Sequence, residues 1–497
     1  MAPDEPMGVP TTCRSGRALE MVFSSPAFLS YFLPLCLLSY FLIRERSRQI
    51  FFIASGLLFF STAGGSSIYV ILCSVLFTFV VGQRIRNSRL RGQIFRARAF
   101  ATLGYIGALS PLLYFKYSTF VVVELNNLFN FSEGLQLSDR ILPLAISFYT
   151  FQCISFLSDT YSSPETVVSL QKFAAYILFF PQLIAGPIVR LADVSADLDS
   201  INRSRRDDFR IGAYRFTLGL GKKVLIGDNS GRIVAGVMSS SDSLMTSADV
   251  WLLAVATTVQ IYFDFSGYSD MAIGLARMFG VRLNENFERP YTSESITEFW
   301  RRWHVSLSTW FRDYLYIPIG GNRRGNIRTY ANLLVVFTLT GWWHGAAWTF
   351  LCWGWLHGAA LIVERLTSRH REQSRIVALH RRIARRVWTM SIVVIGWLLF
   401  FADSLQTFLG WVVRLWPTHG WSVSPLVRLE IDVISVCALI IGGLSIFSAR
   451  KVSLGRKVEL LLEKPRMFID ALFMLVLGLS LIRVLSTSFA PFIYFQF

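Results

Sequence analysis

The chain has 497 residues, 53% of them hydrophobic and only 16% charged, with a net charge of +17 from 49 Lys and Arg against 32 Asp and Glu. A soluble protein spends roughly a quarter of its residues on charge, so this composition excludes an ordinary water-soluble domain and points to an all-α, polytopic membrane protein. The longest polar stretches, about 190–210, 281–329 and 364–386, are each too short to bury a core.

In chain order, residues 1–20 are polar and read poorly as a signal peptide. They are taken as an N-terminal extension, with Met21 a possible true start and residues 21–497 a single membrane domain. Apolar runs then follow at about 27–43, 50–62, 67–82, 99–115, 117–131, 141–157, 172–189, 211–226, 250–265, 330–343, 346–363, 387–402, 430–448 and 467–485. Several fall short of the ~20 residues that cross ~30 Å of hydrocarbon. The expectation is about 11 to 14 membrane segments, some re-entrant or broken inside protein.

Basic clusters punctuate the runs at Arg44/Arg46/Arg48, Arg84 through Arg98, Arg203 through Arg210, Arg301/Arg302, Arg323/Arg324/Arg328, Arg365 through Arg386 and Arg450 through Arg466. Placing them all in the cytoplasm satisfies the positive-inside rule, with an even number of crossings between most successive clusters. Charge divided among short loops is not the continuous basic stripe of a nucleic-acid binder, so no nucleic-acid partner is expected. Its further use is attraction of anionic membrane lipids or of a phosphate-bearing donor. The six cysteines are scattered and form no CxxC pair, so neither a metal site nor a disulfide framework is indicated.

The motif region is 296–350. Read as one helix, Thr297 through Arg312 puts Trp303, Leu307 and Trp310 on one stripe and Trp300, His304 and Phe311 on another. Such a helix is expected to lie at the cytoplasmic interface, where aromatic girdles and Arg anchor amphipathic segments. Pro318 through Gly325 then breaks it. Residues 330–343 rise about 21 Å as a helix, which sets His344 beyond the midplane. His344 has no acidic neighbour in sequence. An ionisable side chain in a membrane segment is a functional candidate by default, and a dry imidazole stays neutral, leaving one nitrogen to take a proton from a hydroxyl. The alternative is a core histidine bonded to a backbone carbonyl. Gly341/Gly345 and Gly354/Gly358 permit close helix packing around it.

No GxSxG elbow, Walker A loop, GxGxxG fingerprint, HExxH or HxxxxD pairing occurs, which removes the usual support for serine-hydrolase, nucleotide, dinucleotide and zinc-protease chemistry. Among the remaining polar residues, Asp264, Ser266, Ser269 and Asp270 lie in Tyr262 through Met271. The two carboxylates are expected to pair with Arg or cap a helix.

Phe299-Trp-Arg-Arg-Trp-His304, Leu307 through Asn322 and Trp342-Trp-His-Gly-Ala-Ala-Trp348 together resemble the membrane-bound O-acyltransferase family, as do Phe179 through Pro187, Tyr262 through Met271 and Phe492 through Phe497. The resemblance covers about Met21 to the C terminus, and Tyr314-Leu-Tyr-Ile-Pro-Ile-Gly-Gly-Asn322 favours the bacterial branch that acetylates exported polysaccharides such as alginate. It implies a helical core with a central funnel or tunnel, His344 as the essential histidine and His304 as its supporting partner, and it leaves His357 a packing residue. Trp300, Trp303, Arg301 and Arg302 would shape the donor entrance, with Trp343 also binding substrate. The implied donor is acetyl-CoA or another acyl thioester, with no bound cofactor and no metal. The implied acceptor is the polysaccharide or an exported acetyltransferase partner, and the implied location the bacterial inner membrane. D-alanyl transfer to a wall polymer keeps the enzyme class and changes the acyl group. A proton-coupled transporter is the rival from another class, although no convincing internal repeat is present.

Overall fold

The computed structural model describes residues 21–62, 65–129, 142–183, 186–199, 206–240, 244–368, 379–447 and 467–486. The segment 1–20, most of the basic groups at 203–206 and 450–466, and the closing motif 492–497 lie outside the described residues. Within them the secondary structure is helical throughout.

The N-terminal third contains α1 (Phe28–Leu42), α2 (Arg48–Ser61), α3 (Gly65–Leu90), α4 (Ile94–Phe129) and α5 (Ile146–Ser162). The runs 99–115 and 117–131 belong to one 36-residue helix, α4, whose π-helical turn at Leu113–Tyr117 absorbs Lys116 without a break. The run 172–189 is broken, as its proline and glycine content demands, into α6 (Leu170–Ile177) and α7 (Phe180–Leu183), followed by α8 (Leu191–Asp199). Next come α9 (Arg206–Gly221) and α10 (Asp228–Met238), joined by a π-helical segment Lys222–Gly227, and then α11 (Ser247–Met278). Thr246 and Asp249 form a reciprocal capping box at the start of α11, satisfying two of its orphan backbone donors.

The motif region forms α12 (Ile296–Arg302), α13 (Val305–Phe311), α14 (Asn326–His344) and α15 (Trp348–Ser368). After these come α16 (Leu379–Phe401), α17 (Leu405–Arg414), α18 (Pro425–Glu430), α19 (Val433–Phe447) and α20 (Met467–Ser486). Among the described residues α4, α11, α16 and α20, and Ser67–Leu90 within α3, are long and apolar enough to cross a bilayer. Helices α14 and α15, of 19 and 21 residues, are of comparable length, and the other apolar runs are realised as shorter or interrupted helices. Large side chains such as Leu103, Ile106 and Tyr114 on α4 are exposed, the face expected toward lipid, while α11 is mostly buried and forms the centre.

The predicted glycine contact is present. A Cβ on Gly341 would collide with Phe350 O and one on Gly354 with Phe337 O, and each glycine's Cβ position lies 3.3–3.4 Å from the other's Cα. Helices α14 and α15 therefore touch backbone to backbone just below His344.

Candidate active site

The single amphipathic helix expected over Thr297–Arg312 is not formed, and its aromatic residues do not lie on a surface. Trp303 takes an extended conformation (ψ 127°) and His304 a left-handed one (φ 44°, ψ 55°), which separates α12 from α13. Trp300, Trp303, His304, Trp310 and Phe311 are all buried. They find aromatic partners inside the protein: Trp303 lies 5.7 Å from Phe299, 5.0 Å from Phe287 and 4.8 Å from Trp397 between ring centroids. The outer ends of the segment are charged. Ile296 N and Thr297 N, at the start of α12, donate to the Glu364 carboxylate at 2.8 and 3.3 Å. Past α13, Asp313 accepts from Arg190 at 2.6 Å and from Arg312 at 2.6 Å. The chain thus dips from one charged region to a buried apex at His304 and returns to another. A left-handed histidine costs on the order of 1–3 kcal/mol, and it is held there by a hydrogen-bond set.

That set fixes the tautomer of His304. The Ser306 amide donates to Asn286 Oδ1 at 3.3 Å, so this atom is an acceptor. The Ser306 hydroxyl, itself accepting from Ile188 N at 2.9 Å, donates to the same oxygen at 2.9 Å. Asn286 Nδ2 donates to Ser269 Oγ at 3.1 Å. His304 Nδ1, 3.1 Å from Asn286 Oδ1, must then carry the proton. Its Nε2 keeps a lone pair, buried and with no hydrogen-bond partner among the described residues.

His344 is the last residue of α14 and 4% exposed. Its ring packs 4.8 Å from Trp343, 4.9 Å from Trp353 and 5.2 Å from Phe400. The final carbonyls of a helix lack intrahelical donors, and here α4 supplies them: Lys116 Nζ donates to Trp343 O at 2.6 Å and to His344 O at 3.2 Å, and Tyr117 Oη donates to Trp342 O at 2.9 Å. A cation at a helix C terminus also complements the macrodipole. Trp343 is the common neighbour of the two imidazoles, 6.2 Å from His304.

Trp343 also lines a cavity of about 820 Å³. Trp342, Trp310 and Tyr117 make its aromatic walls, and Arg190, Asp313 and Asp159 its charged end. Tyr314 Oη donates to Asp159 at 2.8 Å there, and the Arg190 guanidinium lies over the Tyr314 ring.

The residues named from sequence therefore separate. His344, His304 and Trp343 come together; Trp300 joins them at one remove, 5.6 Å from Trp353 and 5.1 Å from His357; Trp303 sits deeper in the aromatic core. Arg302 is tied to Glu298 at 2.5 Å and Thr292 at 2.9 Å, and Arg301 is exposed. Lys116 and Asn286 were not anticipated. Lys116 carried a signal, as a lone cation between two apolar runs; Asn286, inside a polar stretch, carried none. Asp270 pairs with an arginine as expected, Arg215 at 2.6 Å, and also with Lys222 at 2.5 Å, whereas the cation beside Asp264 is a lysine, Lys223, at 3.3 Å. No three potential ligands gather as a metal site among the described residues.

Residues 103–401, from α4 to the end of α16 and so including Lys116 and all the site histidines, match the membrane-bound O-acyltransferase (MBOAT) family. The chain is 36% identical over 515 residues to the probable alginate O-acetylase AlgI of Azotobacter vinelandii, covering 96% of this chain and 100% of that one. It is 40% identical over 433 residues to the protein of the same name in Pseudomonas aeruginosa, covering 85% and 80%. A peptidoglycan O-acetyltransferase of Helicobacter pylori is 34% identical over 424 residues, 79% of each chain. The chain belongs to the membrane-bound O-acyltransferase family. It is a multi-pass membrane O-acyltransferase.

Proposed function

We propose that the protein moves an acetyl group from a cytoplasmic thioester, acetyl-CoA in the simplest case, for O-acetylation of an exported polysaccharide, and that it does so in the bacterial inner membrane. The relatives acting on alginate and peptidoglycan favour acetyl over D-alanyl as the acyl group. The observation carrying the reading is the pair of buried imidazoles that both pack against Trp343, an indole that also lines a large cavity with a charged end. In this scheme the thioester arm occupies that cavity and the acceptor reaches His344 from the opposite face, so the two routes form a tunnel meeting at Trp343.

His344 takes the proton of the acceptor hydroxyl as its oxygen attacks the thioester carbonyl. The tetrahedral intermediate collapses, the C–S bond breaks, and the imidazolium returns the proton to the departing thiolate. His304, whose proton is committed to Asn286, presents a hydrogen-bond acceptor and orients the donor through an amide N–H of its arm; it does not polarise the carbonyl. The indole N–H of Trp343, buried and without a partner among the described residues, is the donor available to the developing oxyanion. Trp300 and Trp303 hold these side chains from behind. The acceptor is either the polymer or an exported acetyltransferase partner that passes the group on.

His344→Ala should lower acetylation by roughly 10²–10⁴-fold, the usual range for a general base, while the protein accumulates normally in the membrane. Mass analysis of the surface polymer reads both the loss and the identity of the acyl group; acetylation surviving in that variant sinks the proposal.

A further inference from the structure

Away from the site, a second cavity of about 490 Å³ runs along the outside of α16. Ile383, Val387, Met390, Val394 and Leu398 line it at three- and four-residue spacing, one face of the helix over about 22 Å of rise. Phe447 of α19 and Trp251 of α11 wall the opposite side. The Trp251 indole is tied to Leu415 O at 3.1 Å. The walls are mostly apolar, with Ser391 and Thr292 among them and Arg386 toward one end. There Arg381, Arg382, Arg385 and Arg386 crowd into six residues. Glu294 accepts from both Arg382 and Arg386, each at 3.1 Å, so one carboxylate meets two guanidinium groups and a positive charge is left over. Trp388, 62% exposed, stands beside the cluster, as tryptophan does at headgroup level.

From this geometry we infer a binding site for one anionic phospholipid, with an acyl chain along α16 and the phosphate at the arginine cluster. An apolar groove about 22 Å long ending in surplus positive charge selects that occupant by both shape and charge. The position has a consequence for catalysis. The buried side of α16 carries Phe400, 5.2 Å from His344, and Trp397, whose indole donates to Tyr291 Oη at 3.0 Å. Tyr291 itself lines the groove. The lipid buttresses a helix whose inner side closes on the site, acting as a positioning element.

The test is native mass spectrometry of the full chain released from nanodiscs of phosphatidylglycerol or of phosphatidylcholine. The site predicts one retained phosphatidylglycerol and at least fivefold lower retention of phosphatidylcholine; equal retention of both overturns it. Val394→Trp, which fills the groove, should abolish retention, and undiminished retention in that variant overturns the proposal. Arg382→Gln combined with Arg386→Gln leaves the apolar walls intact and should erase the preference for the anionic lipid; a preference that persists also overturns it. Retention is read without turnover, so the result stands apart from the acetyl-transfer proposal. Transfer rates in the two lipids, expected to differ at least threefold in kcat with the thioester KM unchanged, then measure the buttressing.

Discussion

Around α9, α10 and α11 the buried charges are matched to one another: Asp270 receives Arg215 and Lys222, Arg215 continues to Glu285 at 2.7 Å, and Lys223 reaches both Asp228 and Asp264. Around α12 to α16 the buried polar atoms are mostly ring nitrogens set among aromatics. The indole N–H groups of Trp300, Trp343 and Trp353, Nε2 of His304 and both nitrogens of His357 have no hydrogen-bond partner among the described residues. The same enzyme thus pairs its buried charges in one region and leaves ring nitrogens unmet in another. Unmet buried groups cost about 1–3 kcal/mol each, a burden that makes sense where substrates supply the missing partners. On the proposed reading the ionic region is scaffold, and the aromatic region is held ready for reactants.

The sharpest way to break this contrast is Asp270→Ala. It strands Lys222 in a buried setting and leaves Arg215 with Glu285 alone, and removing one partner of such a set costs about 3–5 kcal/mol. Thermal unfolding of the purified protein, or its accumulation in membranes, should show the loss at once. His344→Ala should leave both measurements near wild type. An Asp270→Ala protein as stable as the parent removes the scaffold assignment.

Lys116 is the exception that sharpens the comparison, because it is a cation serving the aromatic side. Lys116→Met removes charged hydrogen bonds from the carbonyls of Trp343 and His344, bonds worth about 1.5–3 kcal/mol. The expected result is a lower Tm and a transfer rate reduced by about an order of magnitude, since misplacement of a reacting group by an ångström is enough for that. A change in Tm with an unaltered rate would make Lys116 a helix cap and nothing more.

His357 gives a smaller effect of informative sign. Its ring contacts Trp353 at 4.9 Å and Trp300 at 5.1 Å. Replacing a buried, unbonded polar group by an apolar one of similar shape is neutral or stabilising, so His357→Phe should hold stability or raise it by up to about 1 kcal/mol. Full activity in that variant fits the packing role expected from sequence; lost activity with retained stability would move His357 into the site.

Much of the architecture was legible because membrane helices announce themselves through hydropathy, and α14 with His344 at its end followed from length alone. The pairing of Asp270 with an arginine was foreseen because a buried carboxylate must be compensated. What misled was the stripe from Trp300 to Phe311. Helical spacing of aromatics and arginines describes a surface anchor and a segment buried inside the protein equally well, and the left-handed turn at His304 has no mark in the residue itself. Asn286 was invisible for a related reason. It acts through contacts with Ser269, His304 and Ser306, and those are made by tertiary folding.

The smallest effect tests the part of the sequence reading that the geometry favours least. Arg301 and Arg302 were both expected at the donor entrance, yet Arg301 is exposed and Arg302 is engaged by Glu298 and Thr292, while the charged end of the large cavity is built from Arg190, Asp159 and Asp313. Surface substitutions away from special features rarely change stability, so Arg301→Gln should leave Tm, kcat and the thioester KM unchanged. Arg190→Gln, by contrast, should raise that KM several-fold, because it removes a cation from the mouth through which a phosphate-bearing donor would pass. If the order is reversed, with Arg301 controlling KM and Arg190 silent, the donor enters beside α12, and the cavity reaching Trp343 serves the acceptor.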